Sequence, residues 1–176
     1  MQAEDGVYYL YDYEPLVRQF HGPINRKTQN FKFNGSDSEN IEIVVHALAE
    51  ILQVDATVAV PPSTTETSRV QRICGKDLTF QRSQSRKKSH DNARINWKAE
   101  REAVTFHGTC PPSVLLVDDI LTTGTTMGFY ADWLKGIGAD RVEKFVIGHK
   151  KCKSKPVHVV AISIIVKLAE WDLEIL

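Results

Sequence analysis

The chain has 176 residues, enough for one domain with a core and too few for two comfortable ones. At 42% hydrophobic and 25% charged residues it reads as globular, not disordered, and the balance of 22 basic against 22 acidic residues leaves no global field to draw in nucleic acid or a membrane surface. No apolar run approaches the roughly 20 residues that span a bilayer, and Cys74, Cys110 and Cys152 form no Cys-x-x-Cys pair, which argues against a disulfide framework or a zinc knuckle.

The opening Val7-Tyr-Tyr-Leu-Tyr-Asp-Tyr is aromatic-rich and reads as a short edge strand. Beyond a polar stretch, Ile41, Val44, Val45, Leu48 and Leu52 recur at helical spacing behind a Ser36-Asp-Ser start signal, which predicts an amphipathic helix. Ala56-Thr-Val-Ala-Val reads as a strand stopped by Pro61-Pro62. Ser63-Thr-Thr-Glu66 has capping-box spacing, in which hydroxyl and carboxylate satisfy the free N–H groups of a first turn. A second helix is therefore expected from Ser63 to about Cys74. Residues 77–107 are basic and polar, with a short apolar piece at either end. Val114-Leu-Leu-Val is an apolar run of strand length, and a helix follows through Met127, Ala131 and Leu134 to stop at Gly136 and Gly138. Residues 142–147 and 157–166 are further β-branched strands. Strands apolar throughout, alternating with helices, predict an α/β fold: a mostly parallel sheet flanked by helices, in one domain over residues 1–176.

The chemistry concentrates in Val114-Leu-Leu-Val-Asp-Asp-Ile-Leu-Thr-Thr-Gly-Thr-Thr-Met. A buried strand delivers Asp118 and Asp119 to its carboxyl end, where open α/β sheets bind ligands. A hydroxyl-rich turn then opens onto a helix whose unpaired N–H groups suit a phosphate. Thr122, Thr123, Thr125 and Thr126 add hydroxyls, and Gly124 lets the backbone close on an anion. Two carboxylates would repel a bare phosphate. They make sense if the ligand also carries hydroxyls or a metal, as a sugar phosphate does.

This string resembles the 5-phosphoribosyl-1-pyrophosphate signature of type I phosphoribosyltransferases: apolar residues, two acids, two apolar residues, then Thr-Thr-Gly-Thr-Thr. The resemblance implies that family's fold, with residues 1–35 and about 167–176 as hood or edge elements. It implies that Asp118 and Asp119 bind ribose at the catalytic and Mg²⁺ site, and that Thr122, Thr123, Gly124, Thr125 and Thr126 wrap the 5-phosphate. A pyrophosphate loop is expected at Pro62, Ser63 and Thr64, although the proline pair departs from the usual small, flexible residues. A mobile basic loop is matched by residues 81–94, with Arg86, Lys87 and Lys88 neutralising the departing pyrophosphate. The Phe31-Lys-Phe-Asn-Gly segment and the Arg86…Arg94-Ile-Asn spacing resemble the competence-protein-F-like branch, without its zinc module.

The resemblance further implies transfer of the phosphoribosyl group to a nitrogen acceptor, with release of pyrophosphate. Purine-salvage relatives carry a carboxylate where this chain has Thr122, and a threonine cannot act as a base near neutral pH, so hypoxanthine–guanine activity is disfavoured. His90, His107 and His149 sit in no motif, and Trp97, Trp133 and Trp171 read as packing residues, with Trp171 and Asp172 placed as hood candidates. The competing reading is a non-catalytic sensor of the same ligand, or an accessory protein binding nucleic acid through Arg69, Arg72, Lys76, Arg82, Arg86, Lys87, Lys88 and Arg94. An amino terminus without a basic–apolar signal pattern points to the cytoplasm. Relatives of this fold are commonly dimers, and the sequence leaves the oligomeric state open.

Overall fold

Valine, leucine and isoleucine runs in this chain pair side by side in parallel, and between the strands Ala56–Ala59, Ser113–Leu121 and Arg141–Lys150 helices carry the chain back along the sheet. A computed structural model describes residues 6–13, 38–86 and 95–150. The elements are β1 (Val7–Tyr13), α1 (Ser38–Ile51), β2 (Ala56–Ala59), α2 (Arg69–Ile73), β3 (Thr79–Arg82), α3 (Trp97–Ala103), β4 (Val104–His107), β5 (Ser113–Leu121), α4 (Thr125–Gly136) and β6 (Arg141–Lys150). Four strands form a sheet in the order β1-β6-β5-β2, every pairing parallel. This is the expected α/β architecture.

The apolar run at 114–117 serves both faces of the sheet. Val114 and Leu116 point with Val58 and Val146 toward α4, where Met127, Tyr130, Ala131 and Leu134 are buried. Leu115 and Val117 point with Ala59, Phe145 and Ile147 toward α1 and α2, meeting Ile41, Val45, Leu48, Val70 and Ile73. A strand with helices on both sides needs no polar alternation, which is why this run reads as continuously hydrophobic.

Four expectations are corrected. The second helix begins at Arg69, not Ser63, and its capping box is Ser68 with Gln71: the Gln71 N–H donates to Ser68 Oγ (3.1 Å) and the Ser68 N–H to Gln71 Oε1 (2.9 Å). Both serines have the required spacing, and tertiary contacts choose between them. The Ser63 carbonyl accepts the Arg86 N–H (2.7 Å) and the Pro62 carbonyl accepts Arg82 Nε (2.7 Å), which holds this segment out of a helix. The central strand runs on through Leu121, so Asp118 and Asp119 lie within it. Residues 77–107 contain an antiparallel β3–β4 pair with α3 between, and the start of the expected basic loop is thus strand. β6 reaches Lys150 and so includes His149. The expected strand at 157–166, the hood elements at 167–176, and Trp171 and Asp172 lie outside the described residues.

The β3–β4 unit docks on α4 through aromatic rings. Phe80 meets Phe106, Tyr130 and Trp133 edge-on at centroid distances of 5.0, 4.9 and 5.1 Å, and Trp97 of α3 stacks on Phe129 at 4.5 Å. Such contacts favour defined ring geometry as well as burial. They leave β3 against β2, with Arg82 of β3 reaching the Pro62 carbonyl just beyond it.

Candidate functional site

β2 and β5 are neighbouring parallel strands in the register Ala56↔Val114 to Ala59↔Val117, so the loops leaving their carboxyl ends face one another. Between them lies a cleft of about 440 Å³. One wall comes from residues 60–72 after β2, joined by Arg86; the other comes from Asp118, Asp119 and Thr126. Among the predicted site residues, Pro62, Ser63, Thr64, Arg86, Asp118, Asp119 and Thr126 share this cleft. Thr122, Thr123 and Thr125 are exposed and Gly124 is half-buried, and none of the four lines the cleft. Lys87, Lys88, His90 and Arg94 lie outside the described residues.

The acidic wall is shaped by the end of β5. Asp118 Oδ1 accepts the Asp119 N–H (2.8 Å), and Asp119 Oδ1 accepts the Ile120 N–H (2.7 Å), which fixes both carboxyl groups against the strand. Charged acceptors bound to backbone N–H groups are held more firmly than neutral ones. Both are hard oxygen donors. Among the described residues no third acid, histidine or cysteine joins them in a metal-binding group, so a cation here would complete its shell from water and a bound ligand, the habit of Mg²⁺.

After β5, Gly124 sits at φ +76 as the N-cap of α4. It offers no side chain to the first turn, and only the Thr123 hydroxyl reaches back, to the Thr125 N–H at 3.5 Å and the Thr125 hydroxyl at 3.0 Å. A left-handed residue lets the chain turn sharply from strand to helix, which aims the helix start at the cleft side.

The basic wall holds Arg69, Arg72 and Arg86 against a single acid, Glu66. The cleft is therefore polarised, with carboxylates along one wall and guanidinium groups along the other. Arg82 is not part of a loop but buried, with its side chain 2% exposed; that removes it from any surface patch. Its guanidinium and that of Arg86 share one carboxylate, Glu100 of α3, whose side chain is 3% exposed. Arg82 donates to Oε1; Arg86 is bidentate, through Nη2 to Oε1 and Nε to Oε2 (3.2 Å); the Tyr130 hydroxyl adds a donation to Oε1 at 2.5 Å. Burial pushes the Glu100 carboxyl up, but donation from Arg82, Arg86 and Tyr130, with the Arg86 charge, outweighs it and brings the group to about 2. Burial and then the Glu100 bond push the Tyr130 phenol well above its ordinary range.

Glu100 and Tyr130 are the residues that sequence reasoning missed. The signal was slight: an acid three residues after Trp97 and four before Val104, on the apolar stripe of a short helix. Tyr130 reads as ordinary core between Met127 and Leu134.

Residues 111–176 match the family model of the phosphoribosyl transferase domain, a span that includes β5, the Asp118–Thr126 stretch, α4 and β6. No curated protein matches the chain. Among solved structures, a hypoxanthine phosphoribosyltransferase from Staphylococcus aureus is similar at 15% identity, over 69% of this chain and 72% of that one, with a TM-score of 0.37, too distant to speak for a substrate here. The acid pair and the threonine loop both lie inside the matched span, at the carboxyl end of a parallel sheet.

Proposed function

We propose that this protein is a phosphoribosyltransferase that binds 5-phosphoribosyl-1-pyrophosphate with Mg²⁺ and transfers the phosphoribosyl group to a nitrogen acceptor. The observation that carries this reading is the polarised cleft, with Asp118 and Asp119 on one wall and three arginines on the other. A ligand that bears sugar hydroxyls at one end and a diphosphate at the other matches both walls. Asp118 and Asp119 accept hydrogen bonds from the ribose hydroxyls. Thr126 and the start of α4 receive the 5-phosphate, and the Pro62–Ser63–Thr64 segment with Arg86 receives the pyrophosphate. Mg²⁺, when bound, supplies positive charge to the diphosphate oxygens. In the reaction the bond from the anomeric carbon to pyrophosphate breaks and a bond to nitrogen forms. Charge separates between ring and leaving group, so the residues act mainly by positioning and electrostatic stabilisation.

We further propose that residues 1–176 make a single domain and that the protein works in the cytoplasm. Free thiols at Cys74 and Cys110 suit a reducing compartment, and among the described residues no helix is long and apolar enough to cross a membrane.

Thermal unfolding with 5-phosphoribosyl-1-pyrophosphate and Mg²⁺ tests the assignment. At a ligand concentration about 100 times Kd, the wild type should gain about 2.7 kcal/mol. The Asp118→Asn/Asp119→Asn double variant should lose that Mg²⁺-dependent gain. Equal gains in both would remove the ribose assignment. Pyrophosphate release across a panel of bases and amines then separates an enzyme from a sensor; release at the background rate with every acceptor would favour the sensor.

A further inference from the structure

Glu100 lies in α3, a helix that contributes no residue to the lining of the cleft, yet three donors converge on its carboxylate from three different elements. Arg82 comes from β3, Arg86 from the segment after it, and Tyr130 from α4. Two of these donors also hold the pyrophosphate-side loop. Arg82 Nε donates to the Pro62 carbonyl and the Arg86 backbone N–H to the Ser63 carbonyl, each at 2.7 Å. The loop therefore has no independent position: it is tied to two arginines, and both arginines are tied to one carboxylate.

Two guanidinium groups on one carboxylate leave one positive charge in excess. Arg82 is sealed from water, whereas the Arg86 side chain is 27% exposed and lines the cleft. Arg86 is thus the member of the cluster that faces the cleft, across from Asp118 and Asp119. A buried ionic cluster of this kind is a poor device for stability alone, since desolvation offsets much of the attraction. It is a good device for holding a cation in a fixed place before an anion arrives.

We propose that Glu100 is a positioning residue for the anionic end of the ligand: it orients Arg86 and, through Arg82 and Arg86, sets the Pro62–Ser63 carbonyl line of the cleft. This rests on the reading of the cleft as a site for a diphosphate-bearing sugar. Tyr130 supports the same carboxylate from behind, and its hydroxyl belongs to the positioning set.

Calorimetric titration with two separate probes tests this, inorganic pyrophosphate with Mg²⁺ and ribose 5-phosphate, on the full chain. The variants are Glu100→Gln, Arg86→Gln, the pair together, and Tyr130→Phe as the mildest change, each checked for native folding by circular dichroism. Glu100→Gln and Arg86→Gln should each weaken pyrophosphate by about tenfold, and the pair should be little worse than either alone, the non-additivity of residues acting as a unit. Tyr130→Phe should weaken it about threefold, while ribose 5-phosphate stays within about twofold of wild type throughout. Additive losses, or equal losses for both probes, would overturn the positioning role. If Glu100→Gln does not fold, Tyr130→Phe decides: pyrophosphate affinity unchanged in that folded variant overturns the proposal. A wild type that binds pyrophosphate but not ribose 5-phosphate would sink the proposed substrate and leave this inference standing or falling on the variants. Binding of neither probe by wild type would sink both.

Discussion

Acid should find this fold through Glu100. The carboxyl sits at about 2 in the folded protein against an ordinary value of 4.5. At about 1.4 kcal/mol per tenfold change in proton affinity, protonating this group should cost the fold about 3 kcal/mol relative to neutral pH, whatever the cluster's net worth after desolvation. The sign follows from the depressed value. Above the ordinary value both states hold an ionised Glu100, and the full contribution is present. Between about 4.5 and 2 the unfolded chain takes up a proton that the folded chain refuses, so stability drains away as pH falls, and the contribution is gone below about 2. Urea unfolding from neutral pH downward, combined with the resonance of the isotope-labelled Glu100 carboxyl carbon, measures this. The resonance should show no titration across the ordinary carboxylate range, down to the pH at which the fold itself melts. Asp55 is also held low, by Ser113, but it is exposed, so following Glu100 directly keeps the two apart. A Glu100 resonance that titrates at or above 4.5 would refute the electrostatic account of the cluster.

Three further outcomes are expected. Ser68→Ala removes the hydroxyl that caps α2 and should cost about 1 kcal/mol in urea unfolding; no loss would mean that the capping box is idle. Gly124→Ala puts a side chain at φ +76, where the nearest atom to a new Cβ is 3.9 Å away, so backbone strain and not crowding should cost about 1 kcal/mol; unchanged stability would contradict the left-handed turn. Cys74 is buried with its thiol pushed up to about 12 by burial, so peptide mapping after alkylation of the native protein near neutral pH should find Cys74 unmodified while the half-buried Cys110 reacts.

The sheet was legible in the sequence because its central strand, buried on both faces, carries the uninterrupted apolar run Val114–Val117, with shorter runs at Val58–Val60 in and after β2 and Phe145–Ile147 in β6. The acid pair and the threonine turn were legible because they are adjacent in the chain, packed into nine consecutive positions that run from the end of one strand into the next helix. The other wall was only half legible. Pro62, Ser63 and Thr64 follow β2 in plain order, but what holds them comes from Arg82 and Arg86, some twenty residues on, and no short-range pattern records that pairing. The start of α2 was misread for the same reason: Ser63 and Ser68 offer the same local signal, and distant arginines settle which one caps the helix. Glu100 was hidden most deeply, since an isolated glutamate in a short helix looks like solvent-facing charge until two arginines and a tyrosine are seen to meet it.

The pairing of β2 with β5 also has a bearing on synthesis. The two walls hang from strands whose joined ends, Asp55 and Ser113, stand 58 positions apart along the chain. A growing polypeptide that has completed the arginine side at Arg86 must still add the 32 residues up to Asp118 before the acid side exists to face it. A molecule that spans both sides then acts as a non-covalent staple between early and late segments, so newly made chains should reach protease resistance sooner where such a molecule is abundant.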